Sequence, residues 1–228
     1  MIMDTPSKLP VHVTFIMDGN GRWARQRGKE RLEGHFEGVE SVRAITKASV
    51  ELGIKYISFF AFSEENWNRS EAEVTGLMSL MLRAMKNELP LFLDNGITFR
   101  VIGNRGRLPK EVNDGIDNLE SLTSGGTNMT LIIFMSYSGK WDIQQAARRM
   151  AEAGSDTVEP FLATAGIPDP DLMIRTSGEE RISNYMLWQL AYTEFVFTDT
   201  LWPDFRKDEY LAALEEYASR DRRFGKVK

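Results

Sequence analysis

Residues 13–25 read VTFIMDGNGRWAR: an apolar run ends at Asp18, turns through Gly19 and Gly21, and continues into Arg22 and Trp23. The pattern predicts a strand, a tight backbone turn and a helix start, with a carboxylate at the strand's end. Glycines let the backbone approach a ligand closely, and a helix start offers free N–H groups and the positive end of its dipole. That suits a phosphate. A carboxylate beside a phosphate repels it unless a divalent cation lies between them, so the chemistry suggested is a metal-bridged phosphate ester or diphosphate. The spacing matches neither the Walker A loop nor the dinucleotide-binding fingerprint.

Two further groups fit a polyanion. Arg175 and Arg181 flank a Thr-Ser-Gly turn, with Ser183 just beyond. They could clamp a diphosphate through charge-assisted hydrogen bonds, or simply pair with Glu179 and Glu180. Asn66, Trp67 and Arg69 offer an amide, an aromatic wall and another cation. His35 could donate to a phosphate or serve the packing. Glu194 sits in the nearly apolar stretch WQLAYTEFVF, where an isolated acid is costly unless paired, protonated or bound to a metal; metal ligation and a salt bridge both answer that need.

The elements that must position these groups alternate along the chain. Apolar, β-branched or aromatic runs at 11–17, 54–62, 97–102, 129–135, 171–174 and 195–198 predict strands. Stretches at 34–52, 71–93, 109–122, 140–153, 183–193 and 207–219 predict helices. Ser70 before Glu71 and Glu73 reads as an N-cap. Alternation of this kind predicts an α/β domain with a mostly parallel central sheet flanked by helices. Ligands of such sheets bind beyond the carboxyl ends of the strands. The segments expected there are DGNGRW, SEENWNRS, GNRGR, SYSGKW and RTSGEERIS, all polar and nearly all bearing glycine or arginine. The segment 77–93 is apolar around most of its circumference, as in a buried helix or one lining an apolar cavity.

The 228 residues suffice for one large domain, and 42% hydrophobic with 27% charged residues is ordinary for a soluble protein. Cysteine is absent, which removes disulfides, thiolate metal sites and cysteine nucleophiles. A net charge of −5 argues against bulk nucleic-acid binding, while basic clusters at 22–31 and 220–228 fit capture of a small polyanion. No apolar run reaches membrane-spanning length and the start lacks a signal-peptide core, so a cytoplasmic location is expected.

The blocks HVTFIMDGNGRWA, FFAFSEENWNR, DLMIRTSGEERISNYMLWQLAYTEFVFTDTLWPDF and RDRRFG together resemble the cis-prenyltransferase family, over about residues 10–225. The resemblance implies one α/β domain over 1–228, with a flexible stretch at 1–10, an apolar tunnel closed by helices, and a homodimer whose interface receives the basic tail at 220–228 (Arg223 and Gly225). It implies Mg²⁺-dependent condensation of an allylic diphosphate, usually farnesyl diphosphate, with isopentenyl diphosphate in cis geometry. The long-chain product must end in a membrane, so peripheral contact at the membrane's inner face goes with the cytoplasmic location.

By matching position, Asp18 would hold Mg²⁺ and Glu194 would be a second metal ligand. Gly19, Asn20, Gly21, Arg22, Trp23, Arg31 and His35 would cradle the allylic diphosphate. Ser63, Glu64, Glu65, Trp67 and Arg69 would line the reacting centre, with Asn66 resembling a proton acceptor. Arg175, Arg181, Ile182 and Ser183 would hold isopentenyl diphosphate. The chain departs from the pattern at 136–140 (SYSGK), at bulky Phe134 and Met135, and at Glu180, where some members carry histidine. A non-catalytic partner subunit of the same fold and a metal-dependent phosphohydrolase are the alternatives. The first sits poorly with retention of Asp18, Arg175 and Arg181, the second with Asn20 where a second acid is usual.

Overall fold

The computed structural model describes residues 6–221. Six strands form one sheet: β1 (His12–Ile16), β2 (Tyr56–Ser63), β3 (Ile97–Ile102), β4 (Met129–Tyr137), β5 (Leu172–Arg175) and β6 (Glu194–Phe197). Their order is β3-β4-β2-β1-β5-β6 and every pairing is parallel. Parallel neighbours need crossovers, supplied by α1 (Asn20–Gln26), α2 (Arg31–Leu52), α3 (Glu71–Asp94), α4 (Lys110–Thr123) and α5 (Gly139–Glu152), with α6 (Lys207–Ser219) after the last strand.

Alternating side chains send each strand into two cores. Phe15, Phe59, Leu131 and Ile174 pack with Ile45, Phe92, Val112 and Tyr210 from the helices on one face. Ile16, Ile132, Phe134 and Met173 meet Tyr185, Met186 and Leu190 on the other. Leu9 packs against the first core and Pro10 is buried.

Two expectations are corrected. The segment 183–193 is a chain of turns, not a helix: Ser183, Asn184 and Met186 have φ of 49°, 60° and 42°, in the left-handed region where a right-handed helix cannot continue. The helix expected to start at residue 34 starts at Arg31. Gly28, at φ 64°, separates it from the seven-residue α1, so the dipole behind the first glycine turn is that of a short helix.

One buried polar group sets an acid limit on the fold. His12 is fully buried, with Nδ1 2.7 Å from the Pro168 carbonyl and Nε2 2.8 Å from the Ser58 hydroxyl. Burial pushes its pKa from 6.5 down to about 4, against the Pro168 carbonyl and Asp171, which raise it. Above pH 6.5 the ring is neutral in both folded and unfolded chains. Between 6.5 and about 4 the unfolded chain takes up a proton that the folded one refuses, so stability falls as pH falls. A loss of about 3 kcal/mol is expected across that window from this group. Urea melts at pH 7 and pH 4.5 measure it, and a His12→Gln variant should show a shallower decline.

Candidate active site

Strand order reverses beside β1: the chain leaves β1 toward β2, and β5 arrives on its other side. The crevice at such a reversal, beyond the carboxyl ends of the strands, is where open α/β sheets bind ligands. Asp18 follows β1 and Arg175 ends β5, so the two straddle it. They are paired: Arg175 donates from Nε (3.0 Å) and Nη2 (2.6 Å) to Asp18 Oδ2. The Arg175 side chain is 3% exposed and that of Asp18 38%. Arg175 Nη1 also donates to the Ser183 hydroxyl (2.9 Å) and to the Arg181 carbonyl. The two polar groups read separately from the sequence are therefore one constellation.

The glycine bend is built from below. Gly19 has φ 106°, and a Cβ there would lie 3.0 Å from Leu201. The Asp18 carbonyl accepts from the Thr176 hydroxyl (2.7 Å) and the Trp202 N–H (2.9 Å). The first intrahelical bond of α1 runs from Trp23 N–H to the Gly19 carbonyl (2.8 Å), leaving the Asn20, Gly21 and Arg22 N–H groups outside the helix ladder. Behind them α2 closes in: a Cβ on Gly34 would stand 2.0 Å from the Asn20 carbonyl oxygen, and one on Gly38 2.5 Å from Asn20 Oδ1. Asn20 Oδ1 is itself buried without a hydrogen-bond partner.

Every arginine expected at the mouth is held by an acid. Glu179 accepts from Arg22 (2.7 Å) and from Arg181, bridging the two groups of cations. Glu73 accepts from Arg31 and Arg69, each at 2.9 Å. His35 lies among these last, its Nε2 buried and unpartnered. Burial first, then Arg69 and Arg31, lower its pKa to about 4 against the opposing Glu73, so the ring is neutral at ordinary pH. A neutral Nε2–H tautomer could donate to a phosphate oxygen.

Residues after β2 divide. The Ser63 N–H donates to Asn66 Oδ1 (3.1 Å), fixing a 3₁₀ turn over Glu64–Asn68. Glu65 accepts from Asn184 (2.7 Å). Although burial works to raise the Glu65 carboxyl, the bonds from Asn184, its own backbone and Ser63 hold it net below the usual range. Glu64 turns away to Arg107 and to the Ser136 hydroxyl, both at 2.5 Å, and Trp67 donates to that hydroxyl (2.9 Å) while packing edge-on to Phe62.

A cavity of about 710 Å³ opens here. Asp18, Gly19, Asn20, Gly21, Arg31, His35, Ser63, Glu65, Asn66, Arg69, Arg175, Arg181 and Ser183 line its polar part. Leu77, Met78, Met81 and Met85 of α3, Val42 of α2, and Leu131 and Ile133 of β4 line an apolar part. The apolar helix read from the sequence is thus largely a cavity wall.

Other expected residues stand elsewhere. Trp23 is buried and bonds Asp204 (2.7 Å), Arg22 and Ile182 are not among the cavity's lining residues, Ile182 packing against the second core, and Arg105 of the GNRGR segment serves α4 through Asn113 and Asp117. Glu194 lies at the amino edge of the sheet, paired in register with Leu172 and hence level with Val13. That is roughly 10 Å along the strands from the level of Ile16 and Arg175. Arg220 holds it at 3.0 Å. The tail bearing Arg223 and Gly225 lies outside the described residues, as do residues 1–5.

Glu73, Asn184 and Trp202 escaped the sequence reading, whereas Glu179 stood in it as a salt-bridge partner and holds Arg181. Glu73 was visible as a helix-capping neighbour of Ser70, and Trp202 within the LWPDF block.

The donor set bears on a metal. Asp18 Oδ1 carries no hydrogen bond to the described residues, and they contain no cluster of three or more His, Asp or Glu side chains suited to a metal. Mg²⁺ commonly takes one or two carboxylates plus substrate phosphates rather than an all-protein cage, so a single carboxylate facing a phosphate cradle fits it.

The prenyltransferase family model described as "Putative undecaprenyl diphosphate synthase" matches residues 16–225. An isoprenyl transferase of Porphyromonas gingivalis is 48% identical, over 96% of this chain and 91% of its own. The solved lavandulyl diphosphate synthase of Lavandula x intermedia, in complex with dimethylallyl diphosphate, superposes with a TM-score of 0.92 at 39% identity, covering 96% of this chain and 99% of that one. A structure described as "a probable undecaprenyl diphosphate synthase" from Campylobacter jejuni gives 0.82 at 30% identity, covering 96% and 100%. With nearly the whole chain matched at these levels, it belongs to the undecaprenyl diphosphate synthase family and is a cis-prenyltransferase.

Proposed function

We propose that this enzyme extends an allylic diphosphate, farnesyl diphosphate in the first instance, by successive addition of isopentenyl diphosphate, giving a long-chain polyprenyl diphosphate such as undecaprenyl diphosphate. One observation carries the reading: the Asp18–Arg175 pair stands at the mouth of a cavity that is cationic at one end and apolar along α3. A charged head with a hydrocarbon tail fits both ends. The complex of the lavender enzyme with dimethylallyl diphosphate supports an allylic diphosphate as one substrate.

Asp18 would hold Mg²⁺, which when bound offsets charge developing on the departing diphosphate. The Asn20, Gly21 and Arg22 N–H groups, with Arg31 and His35, orient that diphosphate. Arg175, Arg181 and Ser183 place isopentenyl diphosphate so that its terminal alkene carbon faces the allylic carbon. The allylic C–O bond breaks with its electron pair leaving on oxygen, the new C–C bond forms, and a proton departs to restore a double bond. Asn66 has one amide lone pair committed to the Ser63 N–H, and a neutral amide is a poor base, so a diphosphate oxygen or water takes that proton. Glu65 and Arg69 shape the reacting centre, and the apolar wall keeps water from the electron-poor allylic carbon.

Binding must break pairs already present. A diphosphate reaching Arg22 and Arg181 displaces Glu179, and Asp18 must share or release Arg175. No metal role for Glu194 follows from its pairing with Arg220 inside one chain.

Purified enzyme with Mg²⁺, farnesyl diphosphate and radiolabelled isopentenyl diphosphate is expected to yield a butanol-extractable polyprenyl diphosphate, and excess EDTA to abolish it. Hydrolysis of the substrates without chain growth would point instead to a phosphohydrolase, and activity only with an added second subunit to a partner role.

A homodimer is part of the same proposal. β6 is an edge strand, and Phe197 on it is 38% exposed. The edge of a parallel sheet invites pairing. Sedimentation equilibrium at micromolar protein should return twice the chain mass, and Phe197→Glu should return one.

A further inference from the structure

The two helices that wall the cavity are clasped twice. Both run from the carboxyl edge of the sheet toward its amino edge, since each leads from the polar mouth into the next strand. At the mouth Arg31 of α2 meets Glu73 of α3. Roughly 18 Å further along α2, Arg43 donates from Nε (3.0 Å) and Nη2 (2.5 Å) to the two oxygens of Glu88. The first clasp belongs to the diphosphate site. The second lies deep, beside apolar Met85, Phe92 and Phe99, all cavity-lining residues.

Glu88 also lines the cavity, and its side chain is only 9% exposed. It is the one acid on the lining beyond the polar mouth, roughly 25 Å down α3 from Glu71. A buried carboxylate so placed needs its counter-ion, and Arg43 supplies it in bidentate form while also bonding Glu40 at the surface. Each isoprene unit laid against methionine and leucine gains apolar contact. A unit pushed onto the ion pair gains none and strips the pair of what solvation it keeps.

Resting on the prenyl-chain reading above, we infer that Arg43–Glu88 is a specificity-determining strap: it ties α2 to α3 at depth and interrupts the apolar run open to the growing tail one turn short of Phe92. It sets how long the product becomes without touching the reacting ends.

Product-length analysis of the full enzyme tests this. Glu88→Leu leaves Arg43 its Glu40 partner, and the double variant Arg43→Met with Glu88→Leu replaces the pair by apolar groups of similar bulk, an exchange proteins commonly tolerate. Both are expected to shift the dominant product upward by at least about one isoprene unit. The rate of the first addition should stay within about threefold, because the reacting ends are held at the mouth. Glu88→Gln, which keeps a hydrogen bond to Arg43, should retain the wild-type distribution. If Glu88→Leu does not fold, the double variant carries the test. A folded double variant with an unchanged or shorter product overturns the strap, while wild-type enzyme that makes no polyprenyl diphosphate at all overturns the function on which it rests.

Discussion

Replacing Asp18 by asparagine or alanine is expected to lower turnover by at least about 10³-fold, because the carboxylate proposed to hold a cation on the diphosphate is gone. The two variants should differ in stability. Arg175 is almost fully buried and spends two of its donors on Asp18 Oδ2. Asparagine keeps an oxygen there; alanine leaves a buried guanidinium with only Ser183 and the Arg181 carbonyl. Alanine is therefore expected to cost about 1–2 kcal/mol more than asparagine, read from urea melts. Equal loss of turnover with unequal stability separates the chemical role of Asp18 from its structural one. A variant with near wild-type kcat would show that the carboxylate serves Arg175 alone.

Gly34→Ala is expected to be a severely damaging single methyl at the glycine bend. Its Cβ would stand 2.0 Å from the Asn20 carbonyl oxygen, a backbone atom that cannot swing aside as a side chain would. Either α2 backs away from α1 or the glycine bend shifts. Overpacking against backbone costs about 3 kcal/mol or more, and the same shift displaces the N–H groups of residues 20–22 from the diphosphate. Thermal melting and the KM for the allylic substrate should therefore move together. Gly125→Ala, with no heavy atom within 4 Å of its Cβ, is the control and should change neither.

Much of the architecture was legible because β-branched and aromatic runs make strands that parallel neighbours then bury. HVTFI, ITFRVI and MTLIIFMSY all fall where the sequence places them. The turns of 183–193 were not legible: nothing in SNYMLW announces left-handed backbone at three non-glycine positions, which tertiary contacts around Tyr185 and Met186 impose. The site shows the same division. Asp18, the glycines and Arg175 announce themselves by residue type at strand ends. Their counter-charges do so only in part: Arg69 and Arg181 lie close in sequence to Glu73 and Glu179, but Arg31, Arg22 and Arg43 reach Glu73, Glu179 and Glu88 across 42, 157 and 45 positions. A local reading can name the cations of a phosphate site and an acid near in sequence, such as Glu179 for Arg181, but not the acids that reach them from distant elements. Glu194 illustrates the converse: an acid in an apolar stretch admitted two answers, and within one chain it takes Arg220.

Where a diphosphate sits decides the role of Asp18 and the glycine bend. Crystals grown with Mg²⁺ and an unreactive thiolo analogue of farnesyl diphosphate should place the cation on the Asp18 carboxylate, the diphosphate against the backbone of residues 19–22, and the tail along Met78, Met81 and Met85. A diphosphate bound away from that bend, with Asp18 still holding Arg175 and no cation on it, would contradict the account.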